Sequence, residues 1–152
     1  MRREVALVSH LVGSLHFNIF EVADSDEGLG SLRTTAAANA TTQRGISSYT
    51  FLTSMLRETP TSKQFILVSE VDDITIGFVS GCIIDKRCVI TAIYVREKCR
   101  SLGIGALLLT CAQQLETTVE ETLVCVLPGQ RELKNLCEQA GLPAQLIFAG
   151  TP

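Results

Sequence analysis

The sequence predicts a mixed α/β domain with a mostly antiparallel central sheet. Between residues 64 and 95, short segments rich in β-branched and aromatic residues alternate with tight turns, which is typical of an antiparallel meander. The segment 104–119 has the clearest helical period in the chain. An apolar strand follows it, and a strand–helix–strand unit implies parallel pairing through a right-handed crossover.

The composition indicates one folded domain. The chain has 152 residues, of which 46% are apolar and 19% charged, so a disordered chain is excluded. We assign residues 16–152 to the domain and residues 1–15 to an N-terminal extension or an extra strand. The net charge is −3, and the sequence has no tryptophan and no basic stripe, which argues against a nucleic-acid partner.

The sequence also argues against a membrane partner. No apolar run approaches the roughly 18 residues that a membrane span requires. Polar residues interrupt the apolar segment Val5–Leu15, and no Ala-x-Ala cleavage site follows it, so it is a poor signal sequence. We therefore expect a cytoplasmic protein.

The cysteine residues are also consistent with a cytoplasmic protein. None of the six cysteines forms a Cys-x-x-Cys pair or a Cys/His cluster with zinc spacing, so we expect no metal. The cysteines are Cys82, Cys88, Cys99, Cys111, Cys125 and Cys137. Four of them fall on apolar faces of predicted strands or helices, which favours buried reduced thiols over a disulfide framework.

The first elements are one strand and two helices. The segment His16–Ala23 mixes β-branched and aromatic residues and predicts a strand. Asp24–Glu27 then supplies a cap and an acidic first turn for a helix over 27–38. A second helix over 46–57 places its apolar residues on one face and ends before Pro60.

Three strands follow in the meander. They are 64–70, 75–84 and 88–95. The turns between them contain Asp72, Asp73 and Asp85, which we interpret as turn formers rather than catalytic bases.

The last part of the chain alternates helices and strands. The apolar residues of the helix over 103–119 are Ile104, Leu107, Leu108, Cys111, Ala112, Leu115 and Val119. Thr122–Leu127 is an apolar strand that ends before Pro128. A helix over 130–140 is capped by Gly141, and a short strand over 145–149 follows.

A loop with one arginine and two glycines joins the strand ending at Val95 to the helix. Its sequence is Arg100-Ser101-Leu102-Gly103-Ile104-Gly105. The unpaired N–H groups of a helix N-terminus bind anions such as pyrophosphate, and glycine lets the phosphates approach the backbone. A dinucleotide fingerprint would need a third glycine where Leu108 stands, and a P-loop would need Gly-Lys-Ser/Thr.

The element order and this loop resemble the GNAT superfamily of acyl-CoA-dependent N-acetyltransferases. The loop fits the family signature (Gln/Arg)-x-x-Gly-x-(Gly/Ala), Leu136–Leu142 is similar to the family's closing Leu-Tyr-Glu-Lys-x-Gly-Phe, and Glu21–Asp26 is similar to its opening junction. The resemblance implies a GNAT-like α/β (α+β) fold, with about four helices flanking the sheet. It also implies a cleft where the family's fourth and fifth strands splay apart.

The resemblance implies that acetyl-CoA lies in this cleft as the cosubstrate. Its pantetheine would bond the backbone of one strand end, and its pyrophosphate would bind the loop amides, with the Arg100 amide as a contact. The implied coenzyme-binding residues are Ile93, Tyr94, Val95, Arg100, Ser101, Leu102, Gly103, Ile104, Gly105, Ala106 and Gln130. An amide near Val95 would stabilise the oxyanion of the tetrahedral intermediate.

The sequence departs from the family at both proton-transfer positions. Family members often use a glutamate on the fourth strand, where this chain has Thr91 and Ala92, and a tyrosine on the last helix, where it has Cys137. We hypothesise that Cys137 is a general acid, with a core residue as the alternative. Glu70 ends a strand on the substrate side and is the candidate water-relayed base.

The predicted function is transfer of an acetyl group from acetyl-CoA to a primary amine of an unidentified small molecule or protein. The alternative is a catalytically inactive module of the same fold that binds CoA or dimerises. The chain has room for one strand after Gly141, where the family has two. We therefore expect an exposed sheet edge that pairs in a homodimer, unless Glu4–Ser9 supplies the missing strand.

Overall fold

A seven-stranded sheet forms the centre of the computed structural model, which describes residues 3–4, 10–12, 15–40, 63–100, 102–124 and 131–142. Its strands are β1 Arg3–Glu4, β2 His10–Val12, β3 Leu15–Glu21, β4 Lys63–Val71, β5 Ile74–Ile84, β6 Arg87–Val95 and β7 Glu121–Val124. The helices are α1 Glu27–Ala40, α2 Ile104–Gln113 and α3 Arg131–Gln139, with a short 3-10 helix at Glu97–Cys99. The predicted helix 46–57 and the predicted strand 145–149 lie outside the described residues.

The strand order confirms the predicted meander and crossover. The order is β1-β3-β4-β5-β6-β7, and β2 pairs with β3. Neighbouring strands from β3 to β6 are antiparallel. Strand β7 runs parallel to β6, with Arg87–Ile90 beside Glu121–Val124. The predicted first to fifth strands therefore correspond to β3 to β7.

Aspartates with positive φ form the tight turns of the meander. Asp72 and Asp73, between β4 and β5, have φ of 49° and 64°, and Asp85, between β5 and β6, has φ of 55°. The Asp72–Asp73 turn has positive φ at both central positions, as a type I′ hairpin turn requires, and the turn at Asp85 and Lys86 has it at the first position alone. Aspartate tolerates this conformation because its short side chain bonds locally.

Helix α1 begins at the predicted cap. The Asp26 carboxylate accepts a hydrogen bond from the Leu29 amide at 3.0 Å, which satisfies one of the unpaired donors of the first turn. The helix covers one face of the sheet through Leu29 and Leu32, which pack with Val68 and Phe78.

Helix α2 covers the opposite face of the sheet. The buried cluster on this side includes Phe17, Ile19, Phe65, Leu67, Val79, Ile90, Ile104, Leu108, Leu109 and Ala112. Most of these side chains are aliphatic, as expected for a chain with 5% aromatic residues.

Helix α2 is shorter than the predicted 103–119, because it ends at Gln113. The Leu115 amide bonds Ala112 O at 3.4 Å, so the chain tightens after the last helical residue. Two consecutive threonines precede Val119, and β-branched residues have low helix propensity. Leu115 and Val119 still pack against the core, which explains why the apolar period extended beyond the helix.

Two short strands occupy part of residues 1–15. Strand β1 pairs with the end of β3, with Arg3 opposite Glu21. Strand β2 pairs with the start of β3, with Val12 opposite Leu15. Both additions lie on the β3 side of the sheet, away from β6 and β7.

Two β-bulges interrupt the register, one on each side of β5. Between β5 and β6, Ser80 faces Ala92 and Gly81 faces Ile90, so Thr91 is the extra residue. An extra residue bends its strand and changes which face the following side chains occupy. The second half of β6 therefore has a different side-chain phase from the first half.

Gly81 has no space for a side chain at this bulge. A Cβ there would lie 2.2 Å from Val89 O and 3.0 Å from Phe65 Cζ. Because backbone atoms cannot move aside as a flexible side chain can, we expect Gly81→Ala to lower the free energy of unfolding by about 3 kcal/mol. Urea denaturation of both proteins measures this difference.

Gly30→Ala is the matched control. Gly30 lies inside α1, and the position that its Cβ would occupy has no atom within 4 Å, so the alanine should raise the free energy of unfolding by roughly 0.5–1 kcal/mol. Equal effects of the two substitutions would contradict the packing argument.

Candidate active site

The junction between β6 and α2 leaves the first amides of α2 unpaired. After Val95 the chain forms the 3-10 helix, and Gly103 then adopts a left-handed conformation with φ of 79°. The Leu107 amide donates to Gly103 O at 3.0 Å. Among the described residues, the amides of Ile104–Ala106 have no acceptor. Such a helix N-terminus favours an anionic ligand.

The two glycines of the loop have different roles. Gly103 has positive φ and no atom within 4 Å of a Cβ position, so its role is conformational. At Gly105, a Cβ would lie 3.0 Å from Leu136 Cδ2. The sequence predicted that both glycines open the backbone to phosphates, and the structure adds close packing between α2 and α3 at Gly105.

The side chain of Arg100 folds back onto the end of β6. Its Nε donates to Val95 O at 3.0 Å, and its guanidinium carbon lies 5.4 Å from the centre of the Tyr94 ring. Its amide donates to Glu97 O at 3.3 Å. This internal bond removes the Arg100 amide from the set of unpaired donors that the sequence predicted for the pyrophosphate.

The backbone amides at the end of β6 point alternately toward β5 and toward β7. The Arg96 amide donates to Ile76 O at 2.8 Å, toward β5. Because successive amides of a strand point in opposite directions, those of Val95 and Ile93 point toward the β7 side. In the described part of the chain, pairing with β7 covers Arg87–Ile90. The two amides thus lie beyond the last described pair, where the cleft is predicted.

Glu70 is buried at the end of β4. Its side chain is 7% exposed, and Thr75 Oγ1 donates to its Oε1 at 3.3 Å. It lines a cavity of about 410 Å³. The other lining residues are Glu27, Gly28, Ser31, Asp73, Ile74, Thr75 and Arg96. Three carboxylates and one guanidinium favour a ligand that carries positive charge.

Arg96 connects this cavity to the junction, and it is absent from the predicted site residues. Its Nε donates to Thr75 O at 2.9 Å. It also lines an adjoining cavity of about 580 Å³, whose walls include Val71, Ile76 and Tyr94. The one available signal was its position directly after the last residue of the predicted strand.

Cys137 is buried in α3, with 7% of its surface exposed. Burial raises the pKa of its thiol, and the charge of Glu138 raises it further. The thiol is therefore protonated at neutral pH. Burial also raises the pKa of the Cys82 and Cys111 thiols, and it raises that of Cys88 to about 11.

The described cysteines fit the prediction of reduced thiols. All five that the structure describes are free, and Cys125 lies outside this part of the chain. Within the same ranges, no group of three or more His, Cys, Asp or Glu residues is placed to hold a metal ion. No helix of the described chain is long and apolar enough to cross a membrane.

The structure brings some of the predicted site residues together. The predicted coenzyme-binding residues Ile93–Val95 and Arg100–Ala106 lie on the end of β6, the loop after it and the start of α2. Ser101 and Gln130 lie outside the described residues. Glu70 is on β4, two strands away from β6 and roughly 10 Å across the sheet. Cys137 is on α3, the helix that packs against Gly105.

A comparison with family models matches residues 38–117 to the acetyltransferase (GNAT) family. This match spans more than half of the 152 residues. The chain belongs to the GNAT acetyltransferase family. The match confirms the predicted class, an acyl-CoA-dependent N-acetyltransferase with acetyl-CoA as cosubstrate. A comparison with curated proteins found no match.

Solved structures share the fold of this GNAT domain. The aminoglycoside N-acetyltransferase AAC(6')-Iy in complex with CoA has 14% identity and a TM-score of 0.65, over 93% of this chain and 99% of that chain. A Pyrococcus furiosus structure described as an acetyl transferase has 19% identity and a TM-score of 0.65, over 90% and 99%. An aminoglycoside acetyltransferase from an uncultured soil metagenomic sample, in complex with sisomicin, has 12% identity and a TM-score of 0.59, over 90% and 95%.

Gly103→Ala tests the role of the junction. An alanine at φ of 79° costs about 1–2 kcal/mol of stability, and relief of this strain would change the backbone at the start of α2, where the unpaired amides lie. We expect weaker binding of CoA, by about tenfold, measured by calorimetry. Gly141→Ala is the matched control, because Gly141 has φ of 78° and equally open surroundings. It should lose similar stability but keep its affinity for CoA.

Proposed function

We propose that this chain binds acetyl-CoA at the β6–α2 junction and transfers its acetyl group to a primary amine. The N-terminus of α2 carries the proposal, because its unpaired amides lie at the end of the short connection that follows the central strand β6. This arrangement gives a diphosphate several aligned donors while the adjacent strand end holds the rest of the coenzyme.

The loop and the strand bind different parts of the coenzyme. The pyrophosphate binds the amides from Leu102 to Ala106, and the pantetheine lies along the end of β6. Val95 O already accepts from Arg100, so Val95 offers its amide rather than its carbonyl. The amides of Ile93 and Val95 are the donors for the pantetheine and the thioester oxygen. Ser101, Tyr94 and Gln130 complete the predicted contacts.

The reaction consists of one acyl transfer and two proton transfers, one from the amine nitrogen and one to the CoA thiolate. The neutral amine nitrogen attacks the thioester carbon, and a C–N bond forms. The resulting oxyanion is stabilised by an amide near Val95. The C–S bond then breaks, the nitrogen loses a proton, and the CoA thiolate gains one. The products are the acetylated amine and CoA.

Glu70 is the proposed proton acceptor, acting through water. Its distance from β6 is too great for direct contact with an amine at the thioester, but its cavity reaches Arg96, the residue after Val95. Its carboxylate is held by Thr75. A buried carboxylate in a cavity of this charge attracts a protonated amine and accepts its proton through an ordered chain.

Cys137 is the proposed proton donor to the CoA thiolate. The raised pKa of its thiol keeps the proton in place at neutral pH. The same shift weakens the thiol as an acid, so donation is favourable only while the departing thiolate is also poorly solvated. This requirement makes Cys137 the weaker of the two assignments.

The chemistry of the acceptor follows from the cavity. The carboxylates of Glu27, Glu70 and Asp73 fit a cationic amine, and two structures with this fold are named as aminoglycoside acetyltransferases. The second candidate function, an inactive module that binds CoA, is favoured by Thr91 and Cys137 in place of the family's usual glutamate and tyrosine.

A cytoplasmic location and a homodimer paired through a sheet edge are further parts of the proposal. Light scattering at micromolar concentration tests the dimer, and a monomer would contradict it.

Two experiments test the function: a measurement of acetyl-CoA binding, followed by a measurement of turnover. Calorimetry with acetyl-CoA should show one site per chain, and a thiol-release assay over a panel of primary amines should then show CoA release. Binding without release across a broad panel would favour the inactive module. Absence of binding would reject both.

Glu70→Gln tests the proton acceptor. The amide keeps the size of the side chain and an oxygen for Thr75, but it removes the base. We expect kcat to fall by about 100-fold at neutral pH. The deficit should shrink as the pH rises, because a deprotonated amine no longer needs the base. A deficit that does not change with pH would contradict the role.

Cys137→Ala tests the proton donor, with Cys111→Ala as its matched control. Both thiols are buried and both have raised pKa values, so both variants should lose similar stability, about 1 kcal/mol. We expect a fall in kcat of about tenfold for Cys137→Ala alone. An unchanged kcat would contradict this assignment and would mean that Cys137 has a purely structural role.

A further inference from the structure

Two hydroxyl groups lie together at the bulge of β6. Thr91 Oγ1 donates to Ser80 O at 3.1 Å, and its distance to Ser80 Oγ is 3.3 Å. A hydroxyl has one proton. Since Thr91 uses its proton on the carbonyl, Ser80 Oγ is the donor between the two hydroxyls. The pair therefore bonds the extra residue of β6 to the opposite residue of β5 through two hydrogen bonds.

Strand β5 packs closely against the bulge of β6. Ser80 is 6% exposed, so water does not replace its bond to Thr91 easily. The neighbouring Gly81 lies so close to Val89 O that a Cβ would be 2.2 Å from it. The two strands are thus in close backbone contact on one side of the bulge and joined by hydroxyls on the other.

The bulge lies where β6 changes its surroundings. Ile90 pairs with Val124 of β7 and is the last described residue of β6 to do so. Thr91 follows it, and beyond Thr91 lie the amides of Ile93 and Val95. Because a bulge bends and twists its strand, the direction of those two amides depends on the conformation at Thr91.

We propose that the Ser80–Thr91 hydroxyl pair is a positioning device for acyl transfer, which holds β6 in the bulged form that directs its last amides at the coenzyme. This inference rests on the proposed function. Thr91 occupies the position where the family often has a glutamate, and here its proton is already committed to Ser80 O. Its role is therefore to position the backbone rather than to exchange protons with substrate.

Thr91→Val tests the pair, because valine keeps the shape and removes the hydroxyl. We expect kcat to fall by about tenfold and the Kd for acetyl-CoA to rise several-fold, since amides aimed at a developing charge act only in a narrow geometry. Thr91→Ser should restore both values to within about twofold of the parent protein. Ser80→Ala, which removes one of the two bonds, should give a smaller loss of about threefold.

Ser69→Ala is the matched control. Ser69 is fully buried and its hydroxyl donates to Gly77 O at 3.4 Å, beside the other bulge of β5. Its side chain points to the face opposite that of Glu70, because successive strand residues alternate. The melting temperature of Ser69→Ala should fall as much as that of Thr91→Val, while its kcat and Kd should stay at the parent values.

The outcomes separate this inference from the proposed function. Parental kcat and Kd in Thr91→Val, failure of Thr91→Ser to restore them, or an equal catalytic loss in Ser69→Ala would each overturn the inference alone. If the parent protein binds acetyl-CoA but releases no CoA with any amine, the proposed transfer fails, and the ratio of Kd values still decides the inference. If the parent protein does not bind acetyl-CoA, both fail.

Discussion

Arg96 bonds the end of β6 to the start of β5 twice, through its amide to Ile76 O at 2.8 Å and through its Nε to Thr75 O at 2.9 Å. The loop that leads to α2 therefore leaves the sheet from a fixed point. Thr75 also holds Glu70, so one residue connects the candidate coenzyme loop with the buried carboxylate. A loop anchored in this way needs little reorganisation when an anion binds, which lowers the entropic cost of binding.

The core beneath this sheet is built with few aromatic residues. Helices α1 and α2 cover opposite faces of the sheet with mostly aliphatic side chains. Four of the buried groups are thiols with raised pKa values. Each behaves as a small apolar side chain, and its burial favours the protonated form.

The sequence predicted features that depend on local chemistry. The cap at Asp26, the aspartate turns and the start of α2 all follow from residues that are adjacent in the chain, and the structure agrees with each. Strands β1 and β2 contain two and three residues, too few for a periodic signal. The predicted end of α2 at residue 119 was wrong, because Leu115 and Val119 pack on the core without being helical.

Some features of the candidate site depend on local sequence and others on the pairing of strands. The glycine loop has a local signature, and the predicted resemblance to the family rested on this loop and on the order of the elements. The bond from Arg96 to Thr75 and the hydroxyl pair of Ser80 and Thr91 join residues on different strands, so strand register decides them. Register depends on long-range packing. A single sequence does not display such contacts.

The close approach of Gly105 to Leu136 has an evolutionary consequence. The loop signature allows alanine at the position of Gly105, yet a methyl group there would lie 3.0 Å from Leu136 Cδ2. An alanine at this position requires the Leu136 side chain to move by a few tenths of an ångström, a smaller side chain at 136, or an outward shift of α3. These two positions, 31 residues apart by their numbers (136 − 105), are in direct steric contact, so alanine at 105 should occur more often together with a smaller side chain at 136.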